Sequence, residues 1–171
     1  MRKSKEFSAF GVEYRSRQLS AVAAFAILAH GDTHPCQLFE HTEVKDEHGQ
    51  WAALSDPKNL DDYVLDVTGS LVPRVVLNGI ISLVRDHNFG FLHDWHGVKV
   101  PGRFQVDTGN VASAQSDPII AQLIAQEIAS LRELEEYYSL EDAFKMFDIM
   151  VAKSVNEAKA SEAATKAAKK R

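Results

Sequence analysis

At 171 residues, 45% of them hydrophobic and 25% charged, the chain is long enough for one domain with a real core and needs no covalent staple. Its single cysteine, Cys36, excludes an intramolecular disulfide and a cysteine-based zinc site, and a reducing compartment is expected. The formal charge of −5 is unevenly spread. Residues 1–17 hold five basic and two acidic groups (+3) and residues 153–171 six and two (+4), which leaves −12 on residues 18–152. An acidic body of this kind repels nucleic acid, while the basic ends can meet an acidic partner.

In chain order, MRKSKEFSAF has no apolar stretch of the kind a secretory signal needs. Phe10, Val12 and Tyr14 alternate with Gly11 and Glu13, the period of a strand or small hairpin within residues 7–17. Residues 20–29 read as a short buried helix ending at Gly31; the apolar run Ala21–Ala29 is far below the ~20 residues that span a bilayer. Residues 37–54 hold two apolar-containing runs around the polar turn Lys45–Gly49, so a hairpin is expected. Asp56-Pro57 is a cap followed by proline at the first helical position, with Leu60, Tyr63, Val64 and Val67 at helical spacing behind it. Pro73 opens another helix whose face carries Val76, Ile80, Leu83, Val84 and His87, with Gly79 costing it about 1 kcal/mol relative to alanine.

Residues 91–110 are rich in glycine yet carry Phe91, Leu92, Trp95, Val98, Val100 and Phe104, which should dock this connector onto the core. Asp117-Pro118 repeats the cap-then-proline signal before the stripe Ile120, Leu123, Ile124, Ile128, Leu131 and Leu134. Ser139 and Asp142 form a capping-box pattern, followed by the apolar face Leu140, Ala143, Phe144, Phe147, Met150, Val151 and Val155. Tyr137-Tyr138 joins these two arms into a helical hairpin. The expected fold is α+β and mainly helical, with a small N-terminal β element or hairpin and a C-terminal helical hairpin. Residues 1–158 form one globular domain: 1–55 mixed β/α, 56–90 two helices, 91–116 an irregular connector and 117–158 the helical hairpin. The charged Ala/Lys-rich tail 159–171 has nothing large to bury and should fray or wait for a partner.

Few constellations here could carry chemistry. His87, His93 and His96, with Asp86 and Asp94, supply metal-ligand side chains, but their spacing matches no zinc pattern and packing or surface roles explain them as well. His30, His34 and Cys36 lack any local nucleophile signature. Asp61-Asp62 and Glu135-Glu136 read as solvated helix faces, and neither a Walker loop nor a GxGxxG is present. The basic tail Lys166, Lys169, Lys170 and Arg171 reads as solubilising. No catalytic residue and no cofactor is expected. The segment Phe144, Met146, Phe147 and Met150 is either core or an adaptable binding surface.

Three stretches carry a family likeness. Phe10–Ala21 (FGVEYRSRQLSA) resembles the opening of phage tail assembly chaperones, where a short strand leads into a Leu/Ala helix. Arg85–Leu92 (RDHNFGFL) with Val98–Phe104 (VKVPGRF) is similar to segments of small tail-region proteins of tailed phages. Leu131–Asp148 (LRELEEYYSLEDAFKMFD) resembles the C-terminal helical pair of such proteins. The likeness spans about half the chain and includes no catalytic motif. It implies a non-enzymatic protein in the host cytoplasm that binds tape-measure or tail-tube subunits and holds their apolar surfaces until the tube polymerises. Phe144, Phe147, Met150, Tyr137 and Tyr138 would be its partner-binding residues. The alternative is a structural tail or baseplate component that stays in the virion tail. A third reading, of another class, is a metal-dependent enzyme using the His87–His96 loop. The expected partners are other phage tail proteins, with no membrane or nucleic acid, and self-association is left open.

Overall fold

The computed structural model describes residues 1–31, 34–104 and 116–169. Residues 105–115 of the connector, and Lys170 and Arg171 of the tail, lie outside the described residues. The fold is α+β and mainly helical. Four antiparallel strands, β1 (Ser4–Ala9), β2 (Val12–Arg17), β3 (Thr42–Lys45) and β4 (Trp51–Ala53), form a meander in chain order. Helices α1 (Ala21–His30) and α2 (Pro35–Leu38) lie between β2 and β3. After β4 come α3 (Pro57–Tyr63), α4 (Pro73–Phe89), α5 (Pro118–Ala125), α6 (Leu131–Glu136) and α7 (Leu140–Ala168).

The sheet follows from alternation. Tyr14, Ser16, Thr42 and Val44 are buried, with Ser16 Oγ and Thr42 Oγ1 hydrogen-bonded at 2.9 Å across the strands. Their neighbours Glu13, Arg15, Glu43 and Lys45 line the other face, where Arg15 pairs with Glu43 and Lys45 with Glu13. The β1–β2 turn is the two-residue Phe10-Gly11, with φ of 56° and 81°. Both values are positive, which matches strand twist in a tight hairpin but strains a residue with a Cβ. Packing holds Phe10 there: its ring lies against α4 where Gly79 leaves room, and a Cβ on Gly79 would meet the ring at 2.6 Å. We therefore expect Gly79→Ala to destabilise the protein by about 1–3 kcal/mol, although alanine is the better helix former by ~1 kcal/mol. A urea titration that finds the variant more stable would contradict this contact.

Tyr14 is fully buried, stacked on Phe7 at 5.4 Å, and its hydroxyl has no hydrogen-bond partner among the described residues. Burial pushes its pKa up from 10.0 to about 12. The raised folded value sets the sign. Its contribution to stability is whole below pH 10.0 and is lost as pH rises toward about 12. Tyr14→Phe should stabilise the fold by about 1 kcal/mol at neutral pH and remove that alkaline loss. Denaturation at neutral and alkaline pH checks both, and a destabilised variant would show that the hydroxyl is satisfied.

Elsewhere the elements depart from the sequence reading in four places. Leu38, expected to start a strand, ends α2, because Pro35 sits at the first helical position and His34 Nδ1 accepts the Cys36 N–H. Val67, placed on a helical face, lies beyond α3. The Asp66 carboxylate there accepts from the backbone N–H groups of Thr68, Ser70 and Leu71 and from the Thr68 hydroxyl, so the chain turns instead of continuing the helix. The first arm of the C-terminal hairpin is two helices, α5 and α6. Glu127 takes a left-handed φ of 55° between them, and Ser130 with Glu133 forms a capping box that restarts the chain. The stretch beyond Lys159, expected to fray, continues α7 to Ala168, since its alanine and lysine favour helix and Glu162 pairs with Lys166 at 2.6 Å and with Arg103 at 3.5 Å.

Candidate functional site

The best-organised surface is built on α7. Its start is fixed by the capping box read in the sequence: Ser139 Oγ accepts the Asp142 N–H at 3.2 Å, and Asp142 Oδ2 accepts the Ser139 N–H at 3.0 Å. The basic N-terminal segment docks on this acidic first turn. The Met1 ammonium lies 2.6 Å from Asp142, and Lys3 lies 2.7 Å from Glu141. Hydrogen bonds from Lys145 and Lys3 hold the Glu141 carboxyl below its usual range. Burial pushes Asp142 up, but the ammonium and the Ser139 donors outweigh it and leave Asp142 lowered. The charge asymmetry of the sequence thus closes partly on itself.

The five residues expected to bind a partner divide. Phe144 stacks on Phe25 at 5.6 Å and meets Phe91 and Trp95 edge-on at 5.7 and 5.6 Å, so its ring holds the connector to the core. The same connector is pinned where Asp148 Oδ1 accepts the Val98 N–H at 2.6 Å. Phe147 and Tyr138 are half-buried against the core, and the Tyr138 carbonyl accepts the Ala21 N–H. Tyr137 is 54% exposed, with its carbonyl accepting the Arg2 N–H. Of the five, Met150 lines an open groove of about 300 Å³, together with Ile128, Met146 and Ile149. Lys153, Glu157, Ser154 and Gln126 form its polar edge. Ile149 is 71% exposed, and Ile128 across the groove is exposed as well. Ile149 was not named from the sequence and Ile128 was read only as part of an apolar stripe, because their exposure depends on how the α5–α6 break lies along α7.

The histidines do not converge. His87 Nε2 faces the Lys3 carbonyl at 3.3 Å, and burial lowers its pKa. His93 ends a 3-10 turn, Gly90–His93, and is exposed; His96 Nδ1 lies 2.8 Å from the Asp94 carbonyl. Among the described residues no group of three or more His, Cys, Asp or Glu side chains is placed to hold a metal ion. His30 contacts its own helix at the Ala26 carbonyl, and His34 receives the Cys36 backbone N–H. Asp61 and Asp62 are exposed on α3 and Glu135 and Glu136 on α6, where Glu136 pairs with Arg132 at 3.1 Å. Among the described residues no helix is long and apolar enough to cross a membrane. No protein-family model matches this chain, and no curated protein or solved structure matches it either.

Proposed function

We propose that the protein is a non-enzymatic assembly chaperone of the tailed-phage type, holding an apolar segment of a tape-measure or tail-tube subunit against α7 in the host cytoplasm. The observation that supports this reading is the groove of Ile128, Met146, Ile149 and Met150. Ile149 of α7 and Ile128 of the α5–α6 link are exposed there, with Met146 and Met150 of α7 half-buried beside them. Flexible methionine suits a surface that accepts apolar sequences of varied shape. The family likeness of Phe10–Ala21 and Leu131–Asp148 supplies the choice of partner.

The second reading, a structural tail or baseplate component, uses the same groove for a permanent contact. Mass spectrometry of purified virions separates the two. The chaperone is expected in infected-cell lysate and absent from particles, whereas a stoichiometric band in the particles would favour the structural component.

A further inference from the structure

A second surface shares no residue with the α7 groove. Between the β1–β2 turn, the β3–β4 turn and the chain following α3 lies a groove of about 390 Å³. Val12, Tyr63, Leu65 and Val67 supply its apolar lining, and Glu13, Asp46, Glu47 and Asp62 its carboxylates. Lys45 is the one cation among the lining residues and is already paired with Glu13 at 2.6 Å. Among the described residues, Glu47 and Asp62 have no ion-pair partner.

The chain that leaves the apolar side of this groove carries further exposed apolar side chains. Leu65, Val67, Leu71, Val72 and Val75 are all exposed, Val67 by 64% and Val72 by 63%. This segment is built, not loose. Asp66 Oδ2 accepts from the Thr68 hydroxyl at 2.6 Å and from the Ser70 and Leu71 N–H groups at 2.9 and 3.1 Å. The Val67 N–H donates to the Phe10 carbonyl at 3.2 Å, and the Val67 side chain covers Gly11. An apolar groove wall whose backbone is held in one conformation and left in water is a mark of an interaction site. Its order also lowers the conformational cost that binding would otherwise carry.

We propose that this groove docks a cationic amphipathic segment of a partner protein, one that brings lysine or arginine to Glu47 and Asp62 and large apolar side chains to Leu65 and Val67. Charge complementarity selects the cation, since Glu47 and Asp62 there lack a neutralising lysine or arginine among the described residues. The apolar wall selects against the chain's own basic tail. Residues 159–171 have the charge but no apolar side chain larger than alanine. The basic N-terminal segment is built into the sheet and the first turn of α7.

Fluorescence anisotropy of the full chain with a labelled Leu/Lys amphipathic peptide tests this. The expected result is saturable binding that weakens at least about tenfold when the peptide's lysines become glutamate or its leucines serine. Leu65→Ser with Val67→Ser, and separately Glu47→Lys with Asp62→Lys, should each weaken it by a similar factor, while Ile149→Asp leaves it unchanged. Raising salt from about 50 to about 500 mM should also weaken it. The charge-reversed pair changes only exposed side chains, so it keeps the test intact if the serine pair fails to fold. No saturable binding, equal binding of the Leu/Glu peptide, or binding indifferent to the charge-reversed pair would overturn the proposal. So would concentration-dependent dimerisation, seen in sedimentation and abolished by that pair, which would make a second copy the occupant.

Discussion

Asn88→Ala should cost about 2–4 kcal/mol of stability, far more than its size suggests. Asn88 is buried near the end of α4. Its Oδ1 accepts the Leu19 N–H at 2.7 Å and its Nδ2 donates to the Val84 carbonyl at 2.8 Å. Leu19 lies in the link between β2 and α1, outside any ladder, so no strand or helix partner can take over its donor. Removing the amide leaves that N–H buried and unpaired, which costs more than the net value of the bond itself. The neighbouring Gln18 strengthens the same joint: its Nε2 donates to the His87 carbonyl at 3.0 Å, and its Oε1 accepts the Lys3 N–H at 3.0 Å. The sheet is therefore bound to α4 by polar side chains at Gln18 and Asn88 as well as by apolar packing. Asn78→Ala, at an exposed site on the same helix, should change stability by no more than about 0.5 kcal/mol. Urea denaturation followed by circular dichroism compares the two, and equal midpoints would remove the joint from the account.

The second large effect concerns binding. Ile149→Asp should weaken the partner complex by about 2 kcal/mol or more, roughly thirtyfold, while leaving the thermal midpoint nearly unchanged. Ile149 is 71% exposed, so a carboxylate there is solvated in the free protein and desolvated only beneath an apolar partner. Phe144→Asp would be a misleading probe, since it places a charge among Phe25, Phe91 and Trp95 and would unfold the connector along with the core. Phe147→Asp carries the same problem in milder form, because Phe147 packs against the core. Loss of binding by Ile149→Asp with an intact fold isolates the surface.

How much of this was legible in the sequence depended on how local the cause was. The caps at Asp56, Asp117 and Ser139 each rest on a side chain reaching its own next turn, and all three are present. The strand or small hairpin expected within residues 7–17 is present, but the alternation that set Phe10 beside Val12 and Tyr14 gave no sign that Phe10 would sit in the turn with Gly11. The break between α5 and α6 was not read, because Ile120, Leu123, Ile124, Ile128, Leu131 and Leu134 keep an approximate helical period across it. Its signal was nevertheless there: Ser130 and Glu133 have capping-box spacing. The chain's exit from α3 was hidden by Val67, whose spacing imitated a helix while Asp66 drew the backbone N–H groups away. The division of the Phe/Met segment into core and surface was beyond local pattern. Phe144 and Met150 sit on one helix with similar hydrophobicity, and Phe25 of α1 together with the connector folding over Phe144 separates their roles. The Gly79 contact belongs to the same class, since a turn and a helix remote in sequence must meet before the missing Cβ has a reason.

The proposed function requires that the α7 groove hold an apolar segment of a partner protein. Co-expression with the proposed tape-measure partner, followed by affinity purification through this chain, tests it most directly. The account predicts a soluble complex of the two proteins with the wild-type chain and its loss with Ile149→Asp at unchanged expression and folding. A tape-measure protein that stays insoluble or unbound beside a well-folded wild-type chain would contradict it, as would a complex that Ile149→Asp leaves intact.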